Sequence, residues 1–430
     1  LSLSTFTSFL KGSWEIAARS ISSSVALFVT FTIGVGCYRF ITTEGIGGDT
    51  MFAGLPSGFF MSVMPIGFGL LAIRILWLSG DSWRLRLIPL VVGVALFAFC
   101  TYQFEEVESF VWPLLILLVI GTVAGAPLYV TIGGAALIMN WGWGGYFPEE
   151  RVEIAVSTQA QTLYSFIRNP LLVTLPLFTL AGYFLAQGDS SKRLIRLIQS
   201  VFGGVRGGAV IVTVIVCAFF TTFTGASGVT ILALGGLLMP VLQSAGYSER
   251  SSIGMLTGTG SLGVLFPPCL PLILYAVVAT NTQLVSLSLK DVFLGGAIPG
   301  TLLVLMTIGW GMWNQPKFEG ERSPLDWNEI GKAFTGALGE LMLPILTLFA
   351  LFSGYATPVE AASVSAFYAF LLYLVDARWV RKVNIRTELP QMVSECGLLV
   401  GGVLLILGVA MGLTDYLIFA MIPDQMVEWA

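Results

Sequence analysis

Of the 430 residues, 56% are hydrophobic and 11% are charged, with 21 Lys+Arg against 25 Asp+Glu; soluble domains carry about 25% charged residues, so the composition excludes a water-soluble enzyme. The chain contains no His, which removes imidazole bases, His-ligated metals and His-dependent triads. A net charge of -4 gives no electrostatic reason for a nucleic-acid partner, and none is expected.

A bilayer core takes about 20 apolar residues per helix. That measure predicts spans over 20–38, 57–78, 87–103, 111–125, 127–143, 170–187, 252–280, 291–313, 334–355, 357–377 and 391–416. The stretch 111–143 is too long for one crossing, and Gly121, Gly125 and Pro127 divide it into two short helices. Threaded alternately, the spans put Arg39, Arg151, Arg168 and Lys290 on one face and the other 17 of the 21 basic residues on the opposite face. The richer face, which carries Lys11, Lys192, Arg193, Arg250, Lys317, Arg322 and Arg378, is therefore cytoplasmic. The acidic runs Glu44…Asp49 and Glu105-Glu106-Val107-Glu108 fall on the exterior or periplasmic side.

This threading requires 208–243 to begin and end in the cytoplasm. From Gly208 to Thr224 a helix covers about 24 Å, short of a ~30 Å core. The next five residues, Thr224-Gly225-Ala226-Ser227-Gly228, are too polar and flexible for lipid. A re-entrant helix–loop–helix that turns near the midplane meets both constraints, with Gly225 and Gly228 expected at φ > 0 in the tip. The alternative is one kinked crossing packed through small residues, which would invert every later loop and erase the charge bias. Within 252–280, Gly258, Gly260 and Gly263 lead into Leu265-Phe266-Pro267-Pro268-Cys269-Leu270-Pro271, which no continuous helix accommodates. The reading is thus an all-α polytopic membrane protein with a re-entrant hairpin beside a discontinuous helix. Such a pair exposes helix ends to each other, carbonyls for cations and N-termini for anions, as secondary transporters do.

Hard cations prefer oxygen. The candidate cation ligands are Ser227 with its flanking Gly225 and Gly228, then Thr230, Thr259 and Ser261, with Thr257 nearby. Candidate substrate contacts are Thr224, Ala226, Ser227, Pro267, Pro268 and Cys269. Packing through small residues is the bland alternative for the tip. Glu360 follows Thr357-Pro358 and reads as a helix cap, Asp415 as interfacial, and Trp77, Trp112, Trp141, Trp143, Trp310 and Trp313 as interfacial anchors. Cys37, Cys100, Cys217, Cys269 and Cys396 read as small buried hydrophobes. No Ser/Lys or Asp/Asp constellation suggests an intramembrane enzyme.

The run Phe219 to Tyr275 closely resembles the large membrane subunit of the TRAP (tripartite ATP-independent periplasmic) transporters. Pro170-Leu171-Leu172…Pro176-Leu177-Phe178, Gly203…Arg206-Gly207-Gly208, Gly295-Gly296-Ala297-Ile298-Pro299-Gly300 and Gly354-Tyr355-Ala356-Thr357-Pro358-Val359-Glu360 add to it. Met64-Pro65-Ile66-Gly67-Phe68…Arg74 resembles the last helix of the family's small subunit. The resemblance implies a fused chain: 1–82 the end of the small scaffold subunit, 83–109 a connecting helix and periplasmic loop, 110–316 the first repeat of the large subunit, and 317–430 the start of the second.

It further implies an inverted-repeat, elevator-type transporter of the bacterial inner membrane, driven by Na⁺ as coupling ion. The family mostly carries small carboxylates, delivered by a periplasmic solute-binding protein. Leu175-Pro176-Leu177-Phe178-Thr179-Leu180 and Leu343-Pro344-Ile345-Leu346-Thr347-Leu348 echo each other as matching points of the repeats. Two departures stand out: the tip reads Ser227-Gly228-Val229 where the family often has Ser-Gly-Ser, and Cys269 follows the double proline where Ser is common. The second hairpin, the second Pro-Pro helix and the small subunit's first helices are expected in transporter segments outside these 430 residues. A chain of these residues alone is expected not to transport. A symporter of organic anions working without a binding protein is the rival reading.

Overall fold

The computed structural model describes residues 12–44, 57–80, 82–102, 107–143, 151–281, 288–315 and 326–429. Lys11, Asp49, Glu105, Glu106, Lys317 and Arg322 lie outside them, as do the side chains of Glu44, Glu108 and Trp143. Among the described residues every regular element is helical. Eight helices are long and apolar enough to cross a membrane, and Glu249–Leu265 with Leu270–Ala279, bent by 42°, forms a broken ninth. Four further apolar helices, 85–101, 109–123, 128–142 and 208–224, are shorter. Each coincides with a predicted span or a hairpin arm, and the chain is a polytopic membrane protein.

The chain divides into two compact units, 1–168 with 401–430, and 169–400. The first contains α1 (Ser13–Glu44), α2 (Ser57–Met61), α3 (Val63–Leu78), α4 (Trp83–Tyr102), α5 (Val107–Val123), α6 (Leu128–Trp143) and α7 (Arg151–Ile167). Its core gathers Val25, Val29, Ile33 and Cys37 of α1 with Leu118 of α5 and Val130 and Leu137 of α6. The predicted break in 111–143 falls where Gly125 takes φ +100°. Trp141 is not an interfacial anchor: it is 4% exposed and packed into this core, whereas Trp77, Trp112, Trp310 and Trp313 stay exposed. Helix α7 was not predicted, because Ser157, Gln159 and Gln161 interrupt any apolar run.

The second unit contains α8 (Thr174–Gln187), α9 (Ser190–Phe202), α10 (Gly208–Thr224), α11 (Ser227–Ser244), α12 (Glu249–Thr259), α13 (Leu270–Asn281), α14 (Leu289–Trp313), α15 (Trp327–Ser353), α16 (Pro358–Val375) and the first half of α17 (Ile385–Phe419). The rest of α17 and α18 (Ile422–Trp429) belong to the first. There Asp415, half-buried and four residues before the end of α17, accepts a hydrogen bond from Thr162 Oγ1 at 2.7 Å. Glu360 caps α16 as expected: the Thr357 N–H donates to its carboxylate at 2.7 Å and Thr357 Oγ1 accepts from the Glu360 N–H at 3.3 Å.

A buried ionic network ties distant parts of the second unit. Asp376, 3% exposed, accepts from Arg193 Nη1 at 2.9 Å, from Arg381 Nε at 3.1 Å and from the Asp189 N–H at 2.9 Å. Arg193 also donates through Nε to Glu340, 2% exposed, at 2.7 Å. Arg381 reaches Glu388 at 2.9 Å, and Tyr373 Oη donates to the same carboxylate at 2.9 Å. The turn before α9, α15, α16 and the start of α17 are thereby fastened together.

Candidate functional site

Helices α10 and α11 are joined by only Gly225 and Ala226. Gly225 takes φ +64°, and its N–H closes α10 on the Thr221 carbonyl at 2.8 Å. A Cβ at Gly225 would strike Cβ of Leu270, so both conformation and space require glycine. Gly228 differs from the expectation. It lies inside α11, carries no positive φ, and has nothing within 4 Å of an added Cβ. The return arm also runs four residues past Pro240, 18 in all, because the proline sits in a helix that continues around it.

The two arms double back rather than forming one kinked crossing. Tyr247 Oη, just beyond α11, donates to the Gly311 carbonyl at 2.9 Å. A Cβ on that same Gly311 would lie 2.6 Å from Cγ1 of Val210, near the start of α10. A continuous helix would hold residues 210 and 247 about 55 Å apart. Both ends of the hairpin therefore meet one turn of α14.

The broken helix lies against the hairpin through glycines. After α12, Leu262–Leu265 form a 3₁₀ turn, Phe266 is extended, and a cis peptide joins Pro267 to Pro268 before α13. A Cβ at Gly260 would come within 2.6 Å of Ile231 Cγ1, and one at Gly263 within 2.6 Å of the Thr222 nitrogen. This closeness brings carbonyls of the break to hydroxyls of the hairpin. Thr221 Oγ1 lies 2.7 Å from the Cys217 carbonyl of its own helix, 2.8 Å from the Gly260 carbonyl and 3.1 Å from Thr230 Oγ1, which in turn is 2.9 Å from Thr224 Oγ1. Thr222 Oγ1 lies 3.3 Å from the Gly263 carbonyl. Thr221, Thr224 and Thr230 are fully buried.

Of the sequence-derived candidates, the structure brings Thr224 and Thr230 into this cluster, with Gly225 shaping the turn between them. Ser227 is the half-buried first residue of α11, and no hydrogen bond to its hydroxyl occurs among the described residues. Thr259 is buried on α12, its hydroxyl 3.3 Å from the Leu256 carbonyl. Thr257 and Ser261 are exposed and bond to carbonyls of their own helix, so they do not join the cluster. Cys269 is buried and donates to the Val264 carbonyl inside the break, Pro268 is buried, and Pro267 and Ala226 are half-buried.

Thr221, Thr222 and the carbonyls of Gly260 and Gly263 were missed. Their signal was Thr221-Thr222-Phe223-Thr224, three hydroxyls in four residues at the end of an apolar helix. Thr179 was also missed as a site residue. It is 1% exposed, and its hydroxyl has no partner among the described residues. It lies one turn from Gly182, where a Cβ would come within 2.7 Å of Thr224 N. Its counterpart in the sequence echo, Thr347, is equally buried but is satisfied by Ser365 at 2.6 Å.

A hydroxyl that donates to a carbonyl keeps two lone pairs. The cluster is thus rich in acceptors, buried and, in its hydrogen bonds, free of charged side chains, a combination suited to a hard monovalent cation. On its other side, α11 and α13 both begin at the tip: the Cβ position of Gly225, the C-cap of α10 two residues before α11, is 3.4 Å from Leu270 N. Two helix N-termini together favour an anionic group.

Comparison with known proteins identifies the family. The family described as "Tripartite ATP-independent periplasmic transporter, DctM component" matches residues 111–430. The chain is 28% identical over 316 residues to the isethionate TRAP transporter permease protein DctMQ of Oleidesulfovibrio alaskensis, covering 72% of this chain and 47% of that protein. It is 31% identical over 293 residues to the C4-dicarboxylate TRAP transporter large permease protein DctM of Vibrio cholerae, covering 65% and 60%. To the ectoine TRAP transporter large permease protein TeaC of Halomonas elongata it is 26% identical, covering 71% and 68%. The chain spans about half the length of the first of these relatives and three fifths of the second. It is a multi-pass protein of the bacterial inner membrane and belongs to the tripartite ATP-independent periplasmic transporter family, as a large-permease (DctM) component.

Proposed function

We propose that the chain is the membrane component of a sodium-coupled, binding-protein-dependent importer of a small organic acid. The observation that carries this reading is the neutral hydroxyl–carbonyl cluster between a hairpin and a broken helix, beside two adjoining helix N-termini. Na⁺ occupies the acceptor-rich side, ligated by Thr221, Thr224, Thr230 and carbonyls of the break, with Ser227 and Thr179 as further oxygens. The substrate carboxylate sits at the N-termini of α11 and α13, near Ser227 and Pro268, and Na⁺ offsets its charge. Relatives named for C4-dicarboxylates and isethionate support an organic-acid substrate. The family's tripartite, periplasmic description supports a soluble binding protein as delivery partner.

Residues 1–82 act in this reading as the end of a fused small subunit, which the DctMQ relative supports by its name. The hairpin and broken helix both lie in the 169–400 unit, which serves as the moving body of an elevator. The complete transporter, reconstituted in proteoliposomes with its binding protein, should take up substrate only with an inward Na⁺ gradient and should move net positive charge. Each such charge gains about 2.3 kcal/mol per 100 mV. Equal uptake in Na⁺-free buffer driven by a pH gradient alone would sink the proposal.

A further inference from the structure

Helix α16 ends in a wide turn over Asp376–Arg381, and Lys382 then takes the left-handed conformation at φ 53° before α17 starts at Ile385. Four basic residues fall in eleven: Arg378, Arg381, Lys382 and Arg386. Arg381 points inward, is held by Asp376 and Glu388, and is 16% exposed. Arg378, Lys382 and Arg386 point outward and make no ion pair among the described residues. The neighbouring carboxylates, Asp376 and Glu388, are already engaged by Arg193 and Arg381. All three cations line one open cavity of about 380 Å³, together with Asn384.

The cavity sits at membrane-surface depth. One apolar span ends at Arg381 and the next begins at Ile385, so only three residues separate them. Trp379 is 72% exposed beside the cavity, with exposed Val380 and Val383 around it, as expected of an interfacial anchor. The charge bias of the chain places this turn in the cytoplasm.

We propose that the α16–α17 turn binds the phosphate headgroup of an anionic phospholipid of the cytoplasmic leaflet. Arg378, Lys382 and Arg386 hold the phosphate, the acyl chains run down the apolar flank, and Trp379 marks the glycerol depth. Here the three exposed cations line one open concavity in the three-residue connection between two apolar spans. Unpaired basic clusters beside a transmembrane helix recognise anionic lipid in this way.

The test uses the full chain purified in detergent, titrated with dioleoylphosphatidylglycerol or dioleoylphosphatidylcholine and read by native mass spectrometry. The wild type should prefer phosphatidylglycerol, and the preference should weaken with salt. Replacing the three cations together (Arg378→Gln, Lys382→Gln, Arg386→Gln) should lower that affinity on the order of a hundredfold. The charge-preserving set Arg378→Lys, Lys382→Arg, Arg386→Lys should retain most of it. Equal binding of both lipids to the wild type, or unchanged phosphatidylglycerol binding in the Gln variant, overturns the proposal. So does displacement of the lipid by low-millimolar inorganic phosphate, which would make this a free-anion site. The wild-type lipid preference and its salt dependence decide the matter even if the Gln variant misfolds.

Discussion

The hairpin tip and the Asp376 network are both buried, and both join segments far apart in sequence, yet they use opposite chemistry. At the tip, Thr221, Thr224 and Thr230 share neutral hydroxyl contacts with each other and with the Gly260 carbonyl. In the network, two guanidiniums and three carboxylates meet. A neutral hydrogen bond contributes about 0.5–1.5 kcal/mol net, so it exchanges readily for contact with an arriving cation. A buried ion pair cannot let go without leaving a bare charge, at a cost of about 3–5 kcal/mol. The first arrangement suits a site that fills and empties in every cycle. The second suits a joint that stays closed throughout.

The largest expected effect tests the permanence of the joint. Asp376→Ala leaves Arg193 and Arg381 facing each other without their shared carboxylate, and should destabilise the fold by about 3–5 kcal/mol. The measurement is thermal unfolding of the detergent-purified chain followed by size exclusion. A melting temperature equal to the wild type would show that the network is not the fastening described here.

Next in size is the shape of the tip. Gly225→Val combines a left-handed backbone with a collision at Leu270. It should abolish transport by the complete system at a strain cost of about 1–3 kcal/mol. Gly228→Val, in open space on α11, should leave most transport intact. Equal loss in both variants, at matched expression, would mean that the tip is read wrongly.

Smaller effects should come from single oxygens. Thr221→Val keeps the shape but deletes the contacts to Gly260 and Thr230. It should weaken apparent Na⁺ affinity about tenfold while changing stability by about 1 kcal/mol. Ser227→Ala, which removes a hydroxyl with no partner among the described residues, should shift Na⁺ dependence a few-fold and stability hardly at all. Ser261→Ala serves as the control, since that hydroxyl is exposed and bonds only within its own turn. Sodium titrations of initial uptake rate resolve the three, and a Ser261→Ala shift as large as that of Thr221→Val would place the cation elsewhere.

The sequence revealed the membrane spans because each is a long apolar run, and the charge bias then demanded a hairpin at 208–243. The break at Pro267-Pro268 was equally legible, since proline chemistry is local. What stayed hidden depends on three-dimensional registry. Thr221 and Thr222 read as ordinary helical threonines until Gly260 and Gly263 bring backbone carbonyls onto them. Ser261, chosen for its closeness to the break, faces the other way. The network was invisible for the same reason: Glu340 stood inside an apolar run with no indication that Arg193 would reach it. The amphipathic helices α7 and α9 lacked a continuous apolar run, and a span search passes over them.

The bond between Arg193 and Asp376 spans 183 residues, which bears on how the protein is made. At roughly 5–20 residues per second, Arg193 leaves the ribosome on the order of ten seconds or more before its carboxylate exists. Until α15 supplies Glu329 and Glu340, α9 has no ionic partner on another helix and must wait at the membrane surface, where its arginines remain hydrated. Closure of the clasp therefore marks the arrival of α16 in the bilayer. A ribosome stalled before residue 329 should hold a nascent chain in which α9 is still open to protease.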